Sequence, residues 1–276
     1  HAACEAMVDD GFDAILATVI TDTIPNLEAK LRNLVDLRER DDLAKKLIVG
    51  FHIEGPFMNA GPGYIGAHPP DAVKPANVED CKRLLEVTHG LTKLVTLAPE
   101  NDPNFAATEF LAGQQITVSA GHCDPDLDTL RGAIDHGLTM VTHFGNGCPV
   151  DLPRHDNVLQ RFLALREKLW FCFIPDGAHV DFVALKNYVD FVGIDRTVMT
   201  TDAIAAAKLG PGLHKLSGMT VEVDELGVAR KPGFKNLAGS TITMPGVLRN
   251  LGSELKLSVD EIRKVVDENP RAAIAG

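Results

Sequence analysis

Seven short apolar runs, set apart by longer amphipathic stretches, constrain this chain more than any other feature of its 276 residues. The runs are ILATVIT (15–21), LIVGFHI (47–53), LVTLA (94–98), ITVSAG (116–121), TMVTHF (139–144), LWFCFI (169–174) and TVMTTDA (197–203). Runs of this length without polar alternation read as strands buried on both faces. Helical stretches fall between them, near residues 26–46, 77–89, 103–113, 126–136, 157–168 and 181–190. The first of these carries Leu27, Leu31, Leu34 and Leu37 at helical spacing. Strands alternating with helices imply parallel pairing through crossovers. The predicted fold class is therefore α/β, a (β/α)8 TIM barrel of the metal-dependent hydrolase type, with a doubly wound open sheet as the alternative.

A closed barrel of this type has eight strands. Here seven are visible, and the chain opens on a helix over residues 2–10, so the first barrel strand is expected upstream of His1. Residues 1–276 are read as one catalytic barrel domain. It carries an insertion at about 204–236, in which MTVEVDELGVARK forms a hairpin turning at DELG. A helix from about residue 244 and a last helix opened by the capping box Ser258–Glu261 follow.

Charge and cysteine usage narrow the class further. A formal charge of −11 argues against a general nucleic-acid or anionic-membrane surface, and leaves room for a small phosphorylated substrate held by one or two local cations. The five cysteines form no CxxC pair and are odd in number, which reads as reduced thiols in a cytoplasmic protein. No apolar run reaches about 18 residues, the length of a membrane span.

Four of the apolar runs close on a residue that can do chemistry. Glu54 ends GFHIE, His122 ends ITVSAGH, His143 sits in MVTHF and Asp202 in TTDA. In an α/β barrel the C-terminal strand ends are where active residues lie. A single polar residue there is usually a hydrogen-bonded rim residue, but a carboxylate and two imidazoles on equivalent ends form a three-ligand metal site. Asp202 suits a general base that takes a proton from water and returns it to a leaving amine; its structural alternative is a helix N-cap. His68 in GAHP and His179 in PDGAHV are further pocket candidates, while His52 reads as a packed barrel-interior residue. Asn146 and Gly147 can offer an amide and backbone N–H groups to an anion, and Arg154 a planar fork for phosphate.

Taken together, ILATVITD, GFHIEGPF, GAHP, LAPE, VSAGH, VTHFGNG, DGAHV, TTDA, LAGSTITM and ENPRAA, in this order, make the chain resemble the N-acetylglucosamine-6-phosphate deacetylases of the amidohydrolase superfamily. The family fold is a (β/α)8 barrel beside a small β-sandwich built from both chain ends, and neither sandwich half is visible here. The resemblance implies metal binding by Glu54, His122 and His143, with Asp202 as acid/base and His68 near the amide carbonyl beside Ala67. Asn146, Gly147 and Arg154 would hold the phosphate, with Arg154 reaching in from a second subunit of a homodimer. His179 and Leu237, Ala238 and Gly239 would line the sugar site. The implied cofactor is one Zn²⁺, with Fe²⁺ or another divalent metal in its place as the alternative, and the implied reaction releases acetate and glucosamine 6-phosphate. Two departures stand out. The HxH pair that many amidohydrolases carry on the first strand is not in this sequence, and THFGNGC replaces the more usual THLFNAM. Alternatives to the deacetylase are an amidohydrolase on another N-acyl or cyclic-amide substrate, and a catalytically inactive sugar-phosphate binding module.

Overall fold

A computed structural model describes residues 1–216, 219–233 and 236–274. Seven parallel strands form one sheet: β1 Ile15–Ile20, β2 Ile48–Glu54, β3 Thr92–Leu97, β4 Thr117–Ala120, β5 Leu138–Val141, β6 Trp170–Phe173 and β7 Thr197–Met199. Their spatial order is their sequence order. A doubly wound sheet reverses its strand order at a switch point, so the strictly sequential order excludes that alternative. The sheet curls as part of a TIM-type barrel, with seven strands among the described residues.

Helices fill the crossovers: α1 Ala2–Asp9, α2 Ile24–Glu39, α3 Asp42–Leu47, α4 Val78–Thr88, α5 Ala106–Gly113, α6 Leu127–Asp135, α7 Val158–Ala164 and α8 Phe182–Val192. The helix predicted over 26–46 is two helices. Asp41 breaks it by accepting hydrogen bonds from the backbone N–H groups of Leu43 and Ala44, an N-cap that opens α3. Within α2 the buried face runs through Leu27, Leu31 and Val35, four residues apart, and Leu37 lies off it, 53% exposed. Outward-facing Phe51 and Ile53 of β2 pack with Leu27 and Leu31 of α2 and Leu84 of α4 in the main core.

Inward-facing residues form layers, as barrel interiors do. The lowest is apolar: Leu16, Leu94, Met140, Cys172 and Val198, closed from below by Ala273. Above it lies a polar layer, in which Thr18 contacts His52, His52 contacts Thr96, and Thr142 bridges Thr96 and Ser119 through hydroxyl hydrogen bonds. His52 is thus a satisfied interior residue. Glu54, two residues further along β2, enters the layer above.

After β7 come three antiparallel strands, β8 Gly212–Leu216, β9 Met219–Val223 and β10 Ala229–Arg230. Residues 234–235 of this insertion, and 275–276 at the end of the predicted domain, lie outside the described residues. Helix α9 (Met244–Ser253) and helix α10 (Val259–Arg263) follow, the latter opened by a capping box of Ser258 and Glu261. A helical turn over 264–268 leads into α11 (Asn269–Ala273). Among the described residues no helix is long and apolar enough to cross a membrane.

Candidate metal centre and active site

Neighbouring strands are spaced about 4.8 Å apart, so a flat sheet would hold β2 and β5 about 14 Å apart. Curling removes that separation. Glu54 Oε1 lies 2.9 Å from His143 Nε2 and 3.4 Å from His122 Nε2, and the two imidazole nitrogens stand 3.1 Å apart. All three residues are buried. His68, carried by the loop that follows β2, brings its Nε2 to 3.2 Å from His122 Nε2 and 3.8 Å from Glu54 Oε1.

Backbone geometry at the strand ends aims these side chains inward. Glu54 is the last residue of β2, whereas His122 and His143 stand two residues beyond β4 and β5 and Asp202 three beyond β7. His122, His143 and Asp202 all take positive φ, at 50°, 31° and 47°. Non-glycine residues hold that conformation only where the surroundings impose it, and such positions cluster at functional sites. Two glycines make room for the His122 ring and backbone. A Cβ on Gly66 would come within 2.8 Å of the ring, and one on Gly147 within 3.0 Å of the His122 nitrogen.

The donor set fits a divalent metal. Nδ1 of His122 lies 2.6 Å from the Tyr64 carbonyl oxygen. A carbonyl only accepts, so Nδ1 carries the proton and Nε2 presents a lone pair toward Glu54. A carboxylate oxygen and an imidazole lone pair facing each other at 3.4 Å repel unless a cation lies between them. Nδ1 of His143 is buried with no hydrogen-bond partner among the described residues. Imidazole nitrogen and carboxylate oxygen are ligands that Zn²⁺ accepts.

Electrostatics around the cluster are strongly coupled. Burial works to raise the Glu54 carboxyl, but the imidazoles of His122, His143 and His68 around it outweigh burial and hold its pKa well below the usual value. Burial disfavours a charged His143, yet the hydrogen bond and negative charge of Glu54 raise its pKa. His68 is pushed down to about 3, first by burial and then by the neighbouring His122, so it is neutral. Asp202 is raised, by burial first and the charge of Glu54 second. Strongly perturbed groups cluster at functional sites more often than elsewhere.

The other predicted site residues fall around this centre with one exception. His179 donates from Nδ1 to Asp176 Oδ2 at 2.7 Å. Both His179 and His143 are close enough to Asp202 to lower its pKa. Segment 237–240 runs beside Asp202: the Ser240 N–H donates to the Asp202 carbonyl at 3.2 Å, and a Cβ on Gly239 would meet Ile204. Ala238 is buried with Val221, Val223 and Ala229 of the insertion, and Leu237 bridges to Arg230. Asn146 directly follows the His143 turn and donates its side-chain amide to the His143 carbonyl at 3.2 Å. Ala67 is half-buried beside His68. Arg154 alone stands apart, exposed in the stretch before α7 and without a hydrogen bond or ion pair among the described residues.

Sequence reasoning missed three supports. Asp176 accepts from His179 and from the N–H groups of Ala178 and His179. Thr21, at the end of β1, holds His68 Nδ1 at 2.7 Å, and Tyr64 holds His122 through its main chain. Asp176 sits in PDG, which reads as a turn; a main-chain acceptor such as Tyr64 leaves no sequence signal.

No protein-family profile matches the chain. It is 30% identical over 263 residues to the N-acetylglucosamine-6-phosphate deacetylase of Bacillus subtilis (strain 168), covering 95% of this chain and 65% of that protein. To the N-acetylgalactosamine-6-phosphate deacetylase of Escherichia coli O157:H7 it is 28% identical, over 88% of this chain and 62% of the relative. The chain thus spans just under two thirds of the length of these relatives. The fold matches the structure of a mutant N-acetyl-D-glucosamine-6-phosphate deacetylase from Mycobacterium smegmatis in complex with N-acetyl-D-glucosamine-6-phosphate. The TM-score is 0.86 at 28% identity, covering 95% of this chain and 68% of the other.

Proposed function

We propose that this chain, a homologue of the N-acetylglucosamine-6-phosphate deacetylases over nearly its whole length, carries out their reaction. It would hydrolyse the acetamide of N-acetylglucosamine 6-phosphate to acetate and glucosamine 6-phosphate. The observation that carries the reading is the convergence of Glu54, His122 and His143 from three strand ends, with Asp202 close enough to feel the charge of Glu54.

Glu54, His122 and His143 would hold one divalent metal, Zn²⁺ by preference on its ligand chemistry. When bound, the metal supplies Lewis acidity at the amide carbonyl and lowers the pKa of water. Asp202 takes the proton from the attacking water and delivers it to the departing amine, so the same carboxyl acts as base and then acid. Its position among buried groups, with its pKa raised, suits a group that must hold the proton between the two steps. His68 and Ala67 contact the acetamide, His179 and residues 237–239 the sugar. Asn146 and Gly147 receive the phosphate with Arg154, whose exposure and lack of a partner among the described residues are compatible with delivery from a second subunit of a homodimer. A cytoplasmic location accords with five free thiols and an intracellular phosphosugar substrate.

The test is acetate release from N-acetylglucosamine 6-phosphate by the full gene product, with and without chelator. Release that chelator abolishes and Zn²⁺ restores is expected. No release from folded, zinc-loaded protein, with the phosphosugar still bound, would replace the enzyme by a sugar-phosphate binding module. The galactosamine relative makes the 4-epimer the natural comparison substrate, and an unphosphorylated sugar the control for the phosphate site.

A further inference from the structure

We propose that Glu100 is a positioning residue for His122, holding the backbone turn that aims this imidazole at Glu54 and His143. This rests on the reading of Glu54, His122 and His143 as metal ligands, and it adds no ligand to them.

The turn at His122 has to be held by its surroundings. Its φ of 50° is one that a non-glycine residue keeps only where neighbouring groups over-determine it. The Tyr64 carbonyl fixes the ring through Nδ1, but a ring contact does not fix the main chain. Two hydrogen bonds do, one on either side of the bend. The Asn59 N–H donates to the His122 carbonyl at 2.9 Å. Two residues further on, the Asp124 N–H donates to Glu100 Oε1 at 2.6 Å.

One oxygen joins the two anchors. Glu100 Oε1 also accepts the side-chain amide N–H of Asn59 at 2.9 Å, while Asn59 Oδ1 accepts the Gly61 N–H at 2.8 Å. The carboxylate therefore fastens Asn59 to Asp124, and the His122 turn is gripped between them. Hydrogen bonds to an ionised acceptor are the stronger kind. Glu100 itself lies in the short turn Pro99–Asn101 that follows β3. That turn holds the loop after β2 a second time, for the Asn101 amide donates to the Met58 and Lys74 carbonyls at 2.9 and 3.2 Å. The ends of β2, β3 and β4 are thus tied together beside the metal ligands.

Core packing does not account for Glu100, which is exposed. It belongs to LAPE, a segment that supplies no ligand or substrate contact to the site described above. Both of its partners are N–H donors, so the geometry asks only for an acceptor at this position. A glutamine carbonyl oxygen can accept from both, and alanine from neither. Without the acceptor, residues 122–124 are free to relax toward negative φ and withdraw His122 Nε2 from Glu54 and His143.

Co²⁺ alone is the probe, added to the metal-free full chain in competition with a chelator. Glu100→Ala is expected to bind it at least about tenfold more weakly than the parent, the usual scale for losing a group that orients a metal ligand. Its d–d bands at saturation should also differ from the parent's. Glu100→Gln should return both affinity and bands close to the parent. Parent-like affinity and bands in Glu100→Ala would overturn the proposal, and so would a Glu100→Gln no better than Glu100→Ala. Asn59→Asp keeps the size of the side chain but sets a second carboxylate against Glu100 in place of a donor. It should reproduce the loss, and it decides the matter if Glu100→Ala does not fold, parent-like binding again overturning the proposal. No Co²⁺ bound by the folded parent would remove the metal centre itself, and the proposal with it.

Discussion

Nδ1 of His179 donates a 2.7 Å hydrogen bond to Oδ2 of Asp176, while Oδ1 of the same carboxylate accepts the backbone N–H groups of Ala178 and His179. One half-buried acid therefore fixes both the turn after β6 and the ring it presents. With Nδ1 committed as donor, Nε2 of a neutral His179 is left as an acceptor for a sugar hydroxyl. Asp176→Asn keeps the shape and an oxygen for the backbone, but removes the charge that orients the ring. Turnover efficiency should fall by about ten- to a hundredfold, the usual scale for losing an orienting partner, while zinc content stays at the parent level. Steady-state kinetics with metal analysis checks this, and unchanged kcat/KM would free Asp176 from any role beyond the turn.

The strands and their chemical ends were legible because burial and termination leave local signals. Apolar runs that stop at Glu54-Gly55-Pro56 or at Asp202 can be read without a fold. The break at Asp41 also had its signal, a capping acid, but it was masked by helix-forming residues on either side. The positive φ of His122, His143 and Asp202 has no such signal, because tertiary packing imposes it on residues that do not favour it. Strand β8, GLHKL, has only weak strand character, and its pairing with β9 comes from the insertion folding on itself. The inward polar layer was only partly visible: His52 could be placed by alternation, but Thr96 of β3, Ser119 of β4 and Thr142 just past β5 are brought together only by the register of those strands.

Asp202→Asn should abolish turnover and leave metal binding close to the parent, because Asp202 is not among the three clustered ligands. Its effect on stability has the opposite sign. A carboxyl whose folded pKa is raised contributes stability below its unfolded pKa and loses it as pH rises through the folded value. At neutral pH the charged group is therefore a cost, and the metal-free variant should be the more stable of the two. Urea unfolding of both chelated proteins measures it. A less stable variant would contradict the electrostatic account even if activity were lost.

Delivery of Arg154 across a dimer interface can be tested without a structure of the assembly. Arg154→Ala should raise KM for the phosphorylated sugar and spare kcat. Mixing it with inactive Asp202→Asn then gives dimers in which one site has an intact Asp202 and receives an intact Arg154 from its neighbour. With random assembly of a two-fold dimer, about a quarter of parental activity should return at low substrate concentration. If refolded mixtures show only the sum of the two variants, Arg154 does not act in trans.

His52 lies one layer below the candidate metal centre, between Thr18 and Thr96. Burial is the main reason its pKa is held down to about 4 from 6.5; the charge of Glu54 opposes this and His143 reinforces it. Its folded pKa lies below the unfolded one, so its contribution is fully present above pH 6.5 and is lost as pH falls toward 4. The gap corresponds to about 3 kcal/mol across that window. His68 and His143 also titrate with shifted values, in opposite directions, so the parent's own pH curve cannot isolate His52. His52→Gln can, because a glutamine amide can still bridge Thr18 and Thr96 but takes up no proton in this range. Urea unfolding of the chelated parent and variant from pH 7.5 to 4.5 should show the parent losing stability faster on acidification, with the curves converging as pH falls. Parallel curves would mean that His52 is protonated within the fold, and that the hydroxyl chain beneath the site adapts to a charge it was inferred to exclude.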